Sequence, residues 1–157
     1  MARTRSKFGV DLTNKGKQDR TCNDHITGKP ITFDSKLEKQ YYEDVVVPGL
    51  KDGTIAKAEL QKKYNLQPSF KYNGKTIRSI DYVSDFTLTY ADGSVLVVDI
   101  KGRPTADAKI KKKMMHYVHP DLTFVWLAFT KATGWIDYDD LQKIRREKKK
   151  DKREKVK

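Results

Sequence analysis

Apolar and polar positions alternate most regularly over residues 80–102, where two runs of period two flank Asp92-Gly93. An Asp-Gly pair between alternating runs predicts a β-hairpin. Successive strand residues point to opposite faces. Phe86, Leu88 and Tyr90 therefore share one face of the first strand, with Asp85, Thr87 and Thr89 on the other. In the second strand Leu96, Val98 and Ile100 share a face, and Val95, Val97, Asp99 and Lys101 share the opposite one. A plain two-residue loop at Asp92-Gly93 would set Asp85 opposite Ile100 and mismatch the apolar faces. A slip of one residue flips every side chain, bringing Asp85 and Asp99 to one face and joining the Phe86 row to the Leu96 row. The pattern therefore predicts an odd-length loop, most simply three residues with Gly93 at positive φ, or a bulge before Asp85.

The rest of the chain yields further elements. Residues 1–30 show no sustained period and read as a basic N-terminal arm or irregular lead-in. Ser35-Lys36-Leu37-Glu38 fits a capping box, with Ser35 as N-cap and Glu38 at N3. Leu37, Tyr41 and Val45 continue it as an amphipathic helix that ends before Pro48. Residues 51–66 suit neither period. Residues 67–72 and 76–82 read as strands joined at Asn73-Gly74, making a meander of about four strands that ends at Lys101. Beyond Pro104, Thr105 or Asp107 caps a helix to about Val118, with Ile110, Met114 and Tyr117 as its buried stripe. Residues 122–129 are nearly all apolar, as in a doubly covered interior strand. Strand, helix and strand in this order predict a right-handed crossover. Residues 135–144 read as a closing turn and helix running into a basic tail, residues 143–157; Trp135 either plugs the sheet edge or stacks on a base. The fold class is α/β, a mixed central β-sheet flanked by helices over residues 31–142.

Charge adds a partner class. The net charge is +12, and it sits at the ends. Residues 1–20 hold six Lys/Arg against two Asp, residues 143–157 hold ten against three acids, and the stretch between is nearly neutral. Such tails bind polyanions without reading sequence; solvated ends are the plain alternative. Lys109, Lys111, Lys112 and Lys113 crowd the helix beyond Pro104, either as a solvated face or facing DNA. Their closeness to Lys101 favours phosphate, and with Arg145, Arg146 and Lys148 they are the candidate DNA-binding residues. The single cysteine, Cys22, excludes an internal disulfide and suits a reducing compartment. Cys22, His25, His116 and His119 have no recognisable zinc spacing. No apolar run approaches the roughly 20 residues of a transmembrane helix, and no signal peptide is visible. The expected setting is cytoplasmic, with no membrane partner.

Asp85, then thirteen residues, then Asp99-Ile100-Lys101 resembles the active-site signature of the PD-(D/E)XK nuclease superfamily. The chemistry accounts for the residue types. Two carboxylates and the carbonyl of Ile100, which follows Asp99 in the chain, are hard oxygen ligands suited to Mg²⁺ or Mn²⁺. Such a metal activates water and stabilises charge growing on a phosphate, and a lysine on the same face can orient that water or neutralise the phosphorane. The competing reading is a hairpin with exposed Asp and Lys at its mouth, since an Asp-x-Lys triplet alone is common.

The succession 33–42 (Phe-Asp-Ser-Lys-Leu-Glu-Lys-Gln-Tyr-Tyr), 67–70 (Gln-Pro-Ser-Phe), 82–86 (Tyr-Val-Ser-Asp-Phe) and 98–102 (Val-Asp-Ile-Lys-Gly) is similar to a small phage and prophage family within that superfamily, described as Holliday junction resolvase-like endonucleases. The resemblance spans about residues 24–130. It implies a restriction-endonuclease-like core, Glu38, Asp85 and Asp99 as metal-site acids, and Lys101 as the catalytic lysine. Where the family commonly has Glu, this chain has Asp99. Glu38 keeps two readings, capping its own helix or facing the metal. Gln67 matches without an assigned role beyond packing or phosphate contact.

The sequence therefore reads as a Mg²⁺-dependent endodeoxyribonuclease for branched DNA, acting in recombination in a bacterial host cell if phage-encoded. Symmetric cutting of two strands would require a homodimer. The rival reading is a non-catalytic basic module that binds DNA or RNA, with the acids structural.

Overall fold

Thr13 opens the first element of the computed structural model, which describes Val10, Asp11 and residues 13–154. The basic residues among positions 1–9 and 155–157 lie outside the described residues. Two compact units divide the chain, residues 1–55 and 56–157.

In the first unit, Thr13 Oγ1 accepts the Gly16 N–H at 3.1 Å and caps α1 (Asn14–Asp19). β1 (Thr21–Asn23) and β2 (Pro30–Thr32) then pair antiparallel, with Cys22 opposite Ile31. The Arg20 guanidinium ties this segment together, donating to Gly16 O at 3.1 Å and Phe33 O at 2.6 Å. Residues 14–19, 21–23 and 30–32 are thus regular elements rather than an irregular lead-in. The ties are long-range and leave no periodic trace.

Ser35 caps the next helix as expected, accepting the Glu38 N–H. That helix does not stop before Pro48. α2 (Lys36–Tyr41) passes through a π-turn segment (Tyr42–Val46) into α3 (Val47–Asp52), and Gly53 ends the run at φ +80°. A proline ring clashes with the carbonyl four residues back. Just ahead of Pro48 the turn is wider, with Val47 N–H bonded to Tyr42 O, five residues back. The inserted residue also rotates the inward face. Tyr41, Tyr42 and Val46 are buried, whereas the expected stripe members Leu37 and Val45 are half-buried.

The second unit contains β3 (Ile55–Leu60, its first residue in the first unit), β4 (Lys63–Gln67), β5 (Phe70–Tyr72), β6 (Lys75–Ile77), β7 (Ile80–Val83), β8 (Phe86–Tyr90), β9 (Val95–Ile100), α4 (Ala106–Val118), β10 (Thr123–Thr130), β11 (Gly134–Asp137) and α5 (Tyr138–Glu154). Five strands form a sheet in the order β11-β10-β9-β8-β3. β9 and β10 are parallel and joined through α4, while β8–β9 and β10–β11 are antiparallel. The protein is therefore a mixed α/β protein. Residues 51–66, which suit neither period, supply β3 and β4, and residue 135 lies in a strand rather than a turn. There is no single four-stranded meander: β4 pairs with β7, β5 pairs with β6, and both pairs stand apart from the five-stranded sheet.

The central hairpin has the predicted register. Phe86 faces Val98, Leu88 faces Leu96, and Thr87 faces Val97. Residues 91–93 form a three-residue loop, closed by Tyr90 N–H to Ser94 O at 2.9 Å, with Gly93 at φ +83°. One sheet face, through Val97, Phe124 and Trp126, forms a core with Tyr64, Leu66, Tyr82 and Met115. The opposite face carries Phe86, Leu88, Val98 and Ile100, all buried.

Thr105 caps α4, its Oγ1 accepting the Ala108 N–H at 3.2 Å. Of the stripe Ile110, Met114 and Tyr117, Met114 packs partly buried against the core, while Ile110 and Tyr117 are exposed and Met115 is buried. Ala108, Lys111 and Lys112 accompany Met115 on the inward side. Lysine stems bury well when their heads find partners, so an apolar count along the helix misplaces the face. No described helix is long and apolar enough to cross a membrane.

Candidate active site

In an antiparallel ladder every second opposed pair exchanges hydrogen bonds. Counting back from Tyr90 and Ser94, the bonded pairs are Leu88/Leu96 and Phe86/Val98, and the next would be Ser84/Ile100. Here the strand leaves the ladder. Ser84 N–H turns to Lys62 O at 3.0 Å, and Ile100 N–H is taken by Asp85 Oδ2 at 2.7 Å. A side-chain carboxylate thus replaces a backbone acceptor. One residue beyond the last ladder pair, Phe86/Val98, strand alternation gives Asp85 the side of Thr87 and Asp99 the side of Val97. The Ile100 carbonyl points to the same edge as its N–H.

Asp99 is 1% exposed. Its Oδ2 receives the Tyr82 hydroxyl at 2.5 Å and Lys101 Nζ at 2.5 Å. A buried carboxylate without partners would be costly, and these two donors offset that cost. Tyr82 OH in turn accepts Trp126 Nε1–H at 2.9 Å. Burial first, and then the charge of Asp99, hold the Tyr82 hydroxyl protonated far above the ordinary phenol range. Lys101 shares Asp99's face by strand period. Its backbone N–H is anchored to Leu127 O at 2.7 Å, and its Nζ lies 6.0 Å from the Trp126 ring centroid. A second polar chain runs beside it, from Tyr64 OH through Thr87 Oγ1 to Ser84 Oγ, at 2.7 and 3.2 Å.

The four lysines of α4 divide. Lys111 Nζ donates to Asp81 O at 3.0 Å, and Lys112 Nζ pairs with Asp139 at 2.7 Å while lying 4.7 Å from the Trp126 ring centroid. Both heads serve the fold around Tyr82 and Trp126. Lys109 and Lys113 are exposed, as are Arg145, Arg146 and Lys148 on α5. Trp135 packs edge-on against Phe129, ring centroids 5.0 Å apart, on edge strand β11. In the first unit, Glu38 accepts from Ser35 Oγ (2.7 Å) and from Asp34 N–H (3.1 Å). Its carboxylate thus holds the chain just ahead of its own helix.

The sequence singled out Asp85, Asp99 and Lys101, and they meet at one end of the hairpin. Tyr82 and Trp126 went unassigned. Their signal was present: a tryptophan in an otherwise apolar interior strand needs an acceptor for its N–H.

Asp85, Asp99 and the Ile100 carbonyl are hard oxygen donors and fit a divalent cation such as Mg²⁺ or Mn²⁺. Among the described residues no group of three or more His, Cys, Asp or Glu side chains is gathered as a metal cluster. The class defined by fold and site is thus a mixed α/β protein with a carboxylate pair and a lysine at the mouth of its central hairpin. Residues 19–134 match the model of a family described as "Protein of unknown function (DUF1064)", and the chain belongs to that family. A search of curated proteins finds no match to it.

Proposed function

We propose that this protein is a metal-dependent DNA endonuclease acting through Asp85, Asp99 and Lys101. The observation that supports the reading is the end of the hairpin ladder at Phe86/Val98, beyond which Asp85 takes the Ile100 N–H and Lys101 Nζ lies against Asp99. Asp85, Asp99 and the Ile100 carbonyl would hold Mg²⁺ or Mn²⁺, which when bound supplies an activated water and stabilises phosphate charge. Lys101 would neutralise the phosphate oxygens or orient the attacking water. Tyr82 and Trp126 fix the position of Asp99 from behind. The exposed Lys109, Lys113, Arg145, Arg146 and Lys148 supply phosphate contacts that are blind to sequence. Selectivity for branched DNA such as a four-way junction and Glu38 as a further metal-site acid rest on the family resemblance in the sequence, and action as a homodimer on symmetric cutting of two strands.

A second reading has its own support. Asp85 satisfies Ile100 N–H, and Asp99 satisfies Tyr82 and Lys101, so both acids also serve the fold. On that view the protein binds nucleic acid without cutting it. Incubation with four-way-junction, flap, duplex and single-stranded DNA, in Mg²⁺, Mn²⁺ or EDTA, separates the two. The endonuclease reading expects metal-dependent cleavage that EDTA stops. Binding to all substrates with no product supports the second.

A further inference from the structure

All of residues 68–79 are exposed, and they contain the β5–β6 hairpin. Its tip is Asn73-Gly74, with φ +47° and +75°, a turn whose two central residues are both left-handed. Phe70 pairs with Ile77, Lys71 with Thr76, and Tyr72 with Lys75. Strand alternation puts Phe70, Tyr72, Lys75 and Ile77 on one face. Phe70 is 46% exposed, Tyr72 64% and Ile77 38%. Lys71 and Thr76 share the other face, where Lys71 Nζ donates to Thr76 Oγ1 at 2.7 Å.

A two-stranded hairpin is marginal by itself, and a cluster of large apolar side chains held in water marks a contact surface. Its charge selects the partner. Residues 68–79 hold Lys71, Lys75 and Arg78 and no acid. Aromatic rings beside cations, with no carboxylate, suit a polyanion that also offers flat apolar faces. Bases stack on such rings while phosphates are neutralised by the cations. The location agrees. β7 leaves the hairpin at Ile80 and carries Tyr82 to Asp99. The tip is at most about 30 Å of extended chain from Tyr82, within roughly one helical turn of duplex DNA.

We propose that the β5–β6 hairpin is a DNA-engaging arm, in which Phe70, Tyr72 and Ile77 press against unstacked bases and Lys71, Lys75 and Arg78 contact the flanking phosphates. Bases at a branch point or strand end are already partly unstacked, so they are the cheapest to engage. The choice of DNA rests on the endonuclease reading; the arm itself does not require cleavage.

The test uses the full chain in EDTA with a four-way junction carrying 2-aminopurine at the crossover, beside a linear duplex of the same sequence. Wild type is expected to change the 2-aminopurine fluorescence on binding. The double variant Phe70→Ala/Tyr72→Ala is expected to abolish that change and to bind the junction about tenfold or more weakly, the scale of one stacked base. Its melting temperature should match wild type, because both side chains are exposed. Lys71→Gln/Arg78→Gln should keep the fluorescence change and lower the salt dependence of binding. Wild-type affinity and fluorescence in the aromatic variant would overturn the proposal. So would a dimer that the aromatic variant dissociates while the fluorescence change persists, which would assign the face to a second copy. A wild type that cuts nothing in Mg²⁺, while the aromatic variant abolishes the fluorescence change, rejects the endonuclease reading and keeps the arm. Cleavage by wild type with unchanged binding by the variant does the reverse.

Discussion

Asp85 Oδ2 accepts the backbone N–H of Ile100 at 2.7 Å, at the point where β8 leaves its ladder with β9. One carboxylate is thereby both a backbone acceptor and a candidate metal ligand, and substitutions can separate the roles. Asp85→Asn keeps a carbonyl oxygen for Ile100 N–H but is a poor ligand for a hard cation. Asp85→Asn is expected to melt close to wild type and to lose metal-dependent cleavage. Asp85→Ala leaves the N–H without its acceptor and should cost about 1–3 kcal/mol in denaturant unfolding. Wild-type cleavage by Asp85→Asn would leave Asp85 only its structural task.

Tyr82 makes a prediction about alkaline pH. Its hydroxyl is held protonated by burial and by Asp99, so its folded pKa is raised above the unfolded value. A group raised in this way stabilises the fold fully below its unfolded pKa, about 10 for tyrosine. That contribution falls as pH rises above it, because the unfolded chain gives up the proton first. Between pH 8 and 11 the wild-type melting temperature should fall more steeply than that of Tyr82→Phe. At pH 7 the variant should be less stable by about 1–3 kcal/mol, since Trp126 Nε1–H and Asp99 each lose a partner. Parallel slopes for the two proteins would contradict the Tyr82–Asp99 bond.

The end of α5 concerns DNA more than the fold. Leu141 is the buried residue of this helix, and of positions 143–154 all but Ile144 face solvent. Deleting residues 143–157 removes ten Lys/Arg and three acids. Binding to every DNA should weaken, and the slope of log affinity against log salt should flatten by about 0.9 for each phosphate no longer neutralised. Titrations at several salt concentrations read this directly. An unchanged slope would mean that the tail does not touch phosphate.

The hairpin was legible in the sequence because burial and the two acids demand the same parity. An odd loop with Gly93 at positive φ is the simplest way to join the apolar rows, and the loop of residues 91–93 is that loop. The caps at Ser35 and Thr105 were legible for a similar reason, being local chemistry. The run through Pro48 was not, because a π-turn leaves no pattern in residue types. The inward face of α4 was misplaced because lysines sit where apolar residues would be counted: Lys111 and Lys112 bury their stems and reach Asp81 O and Asp139. Asp85, Asp99 and Lys101, the proposed site, could be picked out by strand period and spacing together with the family resemblance. The support from Tyr82 and Trp126 could not, since it joins β7 to β10 across 44 residues of chain.

The central claim is that Asp99 and Lys101 cut DNA rather than merely pair with each other. Asp99→Asn and Lys101→Gln each retain a polar group near the partner while changing its charge, so both variants should fold and bind DNA in EDTA as wild type does. The decisive measurement is the rate of cleavage of a four-way junction in Mg²⁺ by wild type and these two variants. Wild type is expected to cut, and each variant to cut about a hundredfold or more slowly. Wild-type rates in either variant, or no product from wild type on any of the four DNA substrates in Mg²⁺ or Mn²⁺, would contradict the account.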